Sequence, residues 1–98
     1  MFEAMVCVYG TYTDAADALL RELVGVSRAQ DVNVLGDGTR IELDIRSNEF
    51  FIELQGADKE GWAVKIHDTL AKILPYRMRA FDGFEEPLAE RPAIKAAS

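Results

Sequence analysis

Residues 41–54, IELDIRSNEFFIEL, constrain the fold more than any other stretch of the chain. Ile41, Leu43 and Ile45 alternate with Glu42, Asp44 and Arg46, the period of two that belongs to a half-buried strand. After Ser47-Asn48 the apolar side resumes with Phe50, Ile52 and Leu54. Asn tolerates the positive φ that a two-residue turn requires, so the stretch reads as a hairpin with Arg46 against Glu49. Ile45 then faces Phe50, Leu43 faces Ile52, and Ile41 faces Leu54. A slip of one residue would turn all three pairs out to solvent, which fixes the register. The alternation breaks at Phe50-Phe51, where two large aromatics point to opposite faces. One enters the core, and the other needs a cover.

The rest of the chain supplies elements around this hairpin. Residues 2–9, FEAMVCVY, read as a strand apolar on both sides, with Val6 and Val8 on one face and Met5, Cys7 and Tyr9 on the other. Such a strand is central and covered twice. TDAADALLRELVG, residues 13–25, reads as a helix: Thr13 or Asp14 caps it, Asp14 and Asp17 suit its positive end, and Gly25 stops it. Its apolar stripe is Ala16, Leu19, Leu20, Leu23 and Val24. Val32 and Val34 alternate ahead of a Gly-Asp-Gly turn signal, so a short extra strand is expected near 32–35. Residues 58–75 read as a second helix with Trp62, Ala63, Ile66, Leu70, Ile73 and Leu74 on one stripe, ended by Pro75. YRMRAF, residues 76–81, is a last strand. Pro, Ala and charge from residue 84 to 98 suggest a weakly ordered tail.

The order strand, helix, strand, strand, helix, strand gives an α+β, ferredoxin-like βαββαβ sandwich over residues 1–83. Numbered along the chain, its four antiparallel strands would run 4-1-3-2, with both helices on one face. At 98 residues and 49% apolar content, a single domain is expected. A formal charge of −6 argues against nucleic acid as a partner, because phosphate binding draws on clustered Lys and Arg. It argues equally against an anionic membrane surface. No apolar run reaches the length of a membrane span, and Glu3 stands where a signal peptide would carry basic residues. A cytoplasmic protein is the expectation. Cys7 is the single cysteine, which rules out an internal disulfide and a Cys-built metal site. No metal and no cofactor are expected.

With both helices on one face, the other carries Met5, Cys7, Tyr9, Phe51 and Phe81, rimmed by Glu42, Asp44, Arg46 and Glu53 on one flank and Arg77 and Arg79 on the other. A contiguous apolar patch rimmed by charge marks an interface or a ligand groove. A second copy of the same sheet is the simplest cover, since a two-fold axis supplies self-complementarity; the alternative is a monomer with scattered surface aromatics, or one whose C-terminal tail folds over the patch through Phe84 and Leu88. Met5, Cys7, Tyr9, Phe51, Arg77, Arg79 and Phe81 are therefore the expected homodimer interface, with Arg77 and Arg79 meeting Glu42 and Asp44 of the other copy.

Chemistry is less legible. His67 is the single histidine and the candidate acid–base residue; Asp68 beside it points elsewhere on an ideal helix. Tyr9, Tyr12, Trp62 and His67 are the candidate lining of a pocket between sheet and helices. The first loop, YGTYTDAAD, lacks the arginine an acylphosphatase needs. SNEFFIEL lacks the K/R-G-F pattern of an RNA-recognition motif, and no Pro-Gly enters the first helix as in an ACT domain. In length and element order, residues 2–81 look like the small dimeric α+β-barrel proteins, among them antibiotic-biosynthesis-type monooxygenases, though no specific motif carries the comparison. That resemblance implies a cofactor-independent small-molecule enzyme with a pocket near Tyr9, Trp62 and His67. The residues themselves favour a homodimeric binding or assembly module for a protein or small-molecule partner, because no two catalytic groups converge in the pattern.

Overall fold

The computed structural model describes residues 3–83 and 87–94, so Phe2 and part of the expected tail (84–86 and 95–98) lie outside the described residues. Eight elements follow one another: β1 (Ala4–Tyr9), α1 (Asp14–Val24), β2 (Val32–Val34), β3 (Arg40–Ile45), β4 (Phe50–Gln55), α2 (Lys59–Ala71), β5 (Arg77–Asp82) and β6 (Pro87–Arg91). All neighbouring strands are antiparallel, in the order β2-β3-β4-β1-β5-β6. The four-stranded ferredoxin-like sheet is thus corrected to a six-stranded one, within a fold that remains α+β.

The extra strands sit at the two edges, where local pattern is weakest. β2 has only three residues and is tied to α1 by the Asn33 amide, whose Nδ2 donates to the Val24 carbonyl at 2.9 Å. β6 arises from the segment expected as a weakly ordered tail. Its sequence PLAER begins with proline and holds no β-branched residue, so nothing local marks it as a strand. Tertiary contacts hold it instead: Arg79 Nε donates to Glu90 Oε1 at 2.8 Å, and Arg91 reaches the end of α2. Among the described residues, no helix is long and apolar enough to cross a membrane.

The hairpin of β3 and β4 pairs Ile41 with Leu54, Leu43 with Ile52 and Ile45 with Phe50. Val6, Val8, Leu43, Phe50, Ile52, Leu54, Met78 and Ala80 point to one side and are buried with residues of both helices. From α1 come Ala16, Leu20 and Val24; from α2, Ala63, Ile66 and Leu70. Each large side chain in this layer contributes roughly 1.5–3 kcal/mol by leaving water. α1 is delimited as its sequence demands: Thr13 Oγ1 accepts from the Ala16 N–H at 3.1 Å, and Gly25 closes the helix at φ 74°. Ile73 departs from the expected stripe of α2 and is 43% exposed, because the helix ends at Ala71 and the chain turns before Pro75.

Candidate functional site

The sheet face opposite the helices is built from three cross-strand rows. Met5 on β1 lies between Glu53 on β4 and Phe81 on β5, and Glu53 is itself opposite Glu42 on β3. In the next row Cys7 lies between Phe51 and Arg79, with Asp44 beyond Phe51 and Glu90 beyond Arg79. In the third, Tyr9 is opposite Arg77. All seven residues expected at a dimer interface therefore share one face.

Three guanidinium groups cover three rings on this face. Arg77 lies 4.9 Å over Tyr9, Arg79 4.4 Å over Phe81, and Arg46 5.6 Å over Phe51. Arginine planes stack well on aromatic faces, which gives Phe51 a partial cover from its own chain. At the centre, Cys7 is only 6% exposed although no helix covers it, and its Sγ lies 3.3 Å from Met5 Sδ. Burial raises the thiol pKa above its ordinary value, so Cys7 is held as a protonated, unreactive group. Burial also raises the Tyr9 phenol.

Charge on the face is unevenly satisfied. Arg79 pairs with Glu90 at 2.8 Å and Arg46 with Asp44 at 3.0 Å, while Arg40 stands 3.9 Å from Glu42. Glu53 and Arg77 have no ion-pair partner among the described residues. Partial burial raises the Glu53 carboxyl pKa, and the like charges of Glu42 and Asp44 add to the rise. The expectation that Arg79 and Asp44 would be available to another copy is revised accordingly, since both are engaged within the chain.

The four expected pocket residues are divided between the two sides of the sheet. Tyr9 lies on the helix-free face, whereas Tyr12 and Trp62 pack against the core on the helix side. Tyr12 is 5% exposed, meets Phe50 edge to face at 4.9 Å, and donates its O–H to Asp17 Oδ1 at 2.8 Å. Burial first, and then the Asp17 contact, push its phenol far above the usual range. Arg28 closes the cluster from outside, 4.9 Å over the Tyr12 ring and 2.7 Å from Asp14. Trp62 is bound elsewhere: its Nε1–H donates to Asp37 Oδ2 at 2.9 Å, and Lys65 lies 5.1 Å over its ring.

His67 is buried within α2, with its side chain 4% exposed. Its Nδ1 is 2.9 Å from Asp68 Oδ1, so the two consecutive side chains meet, contrary to the ideal-helix expectation. Nε2 is buried with no hydrogen-bond partner among the described residues. The imidazole is thus oriented by a carboxylate yet enclosed, and no other candidate residue is joined to it by a hydrogen bond. A groove of about 400 Å³ is lined by Leu19, Glu22, Leu23 and Thr69 and includes none of the expected pocket residues. Among the described residues, no group of three His, Cys, Asp or Glu side chains converges to hold a metal ion.

Sequence reasoning missed the roles of Arg46 as a ring cover, of Glu90 as the partner of Arg79, and of Arg91. Arg79 and Phe81 stand two apart on one strand, so their stacking had a local signal; the others depend on strands meeting across the sheet or, for Arg91, on β6 meeting the end of α2. Compared with protein-family models, with curated proteins and with solved structures, the chain matches none of them.

Proposed function

We propose that this protein is a small homodimeric binding or assembly module that associates through the helix-free face of its sheet. The observation that carries the reading is the half-buried apolar centre of Met5, Cys7, Tyr9, Phe51 and Phe81, with Glu53 on β4 and Arg77 on β5 as opposite charges that have no ion partner among the described residues. A two-fold axis lays the acidic flank of one copy on the basic flank of the other, which is the complementarity a self-association surface needs.

A cytoplasmic setting fits the single protonated thiol of Cys7. Catalysis is disfavoured by the separation of Tyr9 from Tyr12 and Trp62 across the sheet and by the enclosure of His67. Analytical ultracentrifugation over the micromolar range tests the reading. The expected result is a dimer that Phe51→Asp converts to a folded monomer; a wild-type monomer throughout that range refutes it.

A further inference from the structure

Resting on that reading, the pattern of satisfied and unsatisfied charge specifies how two copies meet. We infer that Glu53 of each copy pairs with Arg77 of the other, about a two-fold axis that passes over Cys7. Arg79, Arg46 and Asp44 are already committed within the chain, and Glu42 has Arg40 nearby. Glu53 on β4 and Arg77 on β5 are opposite charges within the strands of this face that have no ion partner among the described residues; Glu3 and Glu49, at the strand ends, have none either but do not lie diagonally across Cys7 from Arg77. Glu53 has an additional reason to accept a cation, because Glu42 stands directly across from it and like charges so placed repel.

Their positions are related through the middle of the face. Glu53 is the β4 partner of Met5, and Arg77 is the β5 partner of Tyr9. Met5 and Tyr9 are equally far along β1 from Cys7, and β4 and β5 are equally far to either side. Cys7 is therefore the midpoint of the Glu53–Arg77 diagonal, which spans about 10 Å across strands and about 13 Å along them. When two identical faces stack, the two-fold axis lies parallel to them, midway between. An axis over Cys7 and perpendicular to this diagonal superposes Glu53 of one copy on Arg77 of the other, twice. The same rotation brings Phe51 beside the second copy's Tyr9. It also crosses the two sets of strands at about 70°, closer to orthogonal than to aligned sheet packing.

Two single variants test this pairing. Glu53→Lys and Arg77→Glu each place like charges together at both contacts, and each is expected to weaken self-association by at least about tenfold. Mixed together, the variants restore opposite charges at both contacts. At one, the introduced lysine meets the introduced glutamate; at the other, the native Arg77 meets the native Glu53. They should therefore form a heterodimer with near wild-type affinity. Native mass spectrometry on copies of distinguishable mass reads the ratio directly, and restored binding shows that both variants are folded. A wild-type dimer whose variants self-associate normally, or whose mixture shows no preference for the heterodimer, overturns the pairing and leaves the dimer standing. A wild-type monomer overturns both.

Discussion

Replacing Arg91 by Ala should destabilise the domain by freeing the end of α2. Arg91 Nε donates to the Tyr76 carbonyl at 3.0 Å, and Nη1 donates to the Ala71 carbonyl at 2.8 Å. Nη2 is shared between Tyr76 and Leu74. These carbonyls lie at and just beyond the C-terminus of α2, where a helix leaves acceptors without internal partners and a positive charge is favoured. A hydrogen bond to a charged group contributes about 1.5–3 kcal/mol, and three carbonyls depend on this one. Arg91 is half-buried, so water recovers part of the loss, and a net cost of about 2–4 kcal/mol is expected. For a domain of this size that lowers the Tm by about 10–25 °C. Urea unfolding followed by Trp62 fluorescence and circular dichroism measures the loss. Arg91→Lys should recover less than half of it, because one ammonium cannot span the three acceptors that the planar fork reaches. A cost below about 1 kcal/mol, or full rescue by lysine, would refute the clamp and leave β6 an incidental edge strand.

Three further outcomes follow from local geometry. A methyl group added at Gly10 would run into the Cγ end of the Tyr76 ring, so Gly10→Ala should cost about 1–3 kcal/mol in chemical denaturation, and a neutral result would show that the ring gives way freely. Tyr12→Phe deletes the O–H that Asp17 accepts and should cost about 0.5–1.5 kcal/mol. Because the folded-state pKa of Tyr12 is raised, the native phenol's stabilisation is complete below the ordinary tyrosine pKa and fades as pH rises through the folded value; the variant should lose that alkaline dependence. Asp37 has the opposite sign. Its carboxyl pKa is lowered, first by the Trp62 Nε1–H and then by the Thr39 backbone, so its stabilisation is present above the ordinary carboxyl pKa and is lost as pH falls through the folded value. Asp37→Asn should flatten the acid limb of the stability profile and shift Trp62 emission, and an unchanged acid limb would contradict the assignment.

The parts of the fold legible in the sequence are those that a short window determines. The register of β3 on β4 follows from alternation alone, since any slip would expose Ile41 and Leu43 together; Ile45, at the hairpin end, is already 39% exposed. Thr13 and Gly25 delimit α1 through contacts made within four residues. β6 was illegible for the complementary reason. Its five residues carry no strand preference, its register with β5 shifts at Ala80/Phe81, and its anchors are Arg79 and the end of α2, neither of them local. That omission also distorted the expected charge map. Without β6, Arg79 looks available to another molecule; with it, Arg79 is neutralised by Glu90 and the burden falls on Arg77.

The composition of the helix-free face was readable from parity along the strands, but what its members do to one another was not. Alternation puts Tyr9 and Arg77 on the same side, yet only the pairing of β1 with β5 sets one over the other. The consequence bears on which partner the face can take. A small-molecule site is concave, with an accessible floor and a few convergent polar groups. Here the floor is Cys7, 6% exposed and crowded by its neighbours, and the rings around it lie beneath guanidinium planes rather than standing open. Such a surface offers broad contact, and of its three ring-covering guanidinium groups Arg77 has no ion-pair partner among the described residues. In the dimer proposed above, the second sheet brings a carboxylate to that cation in Glu53, which stands beside Glu42.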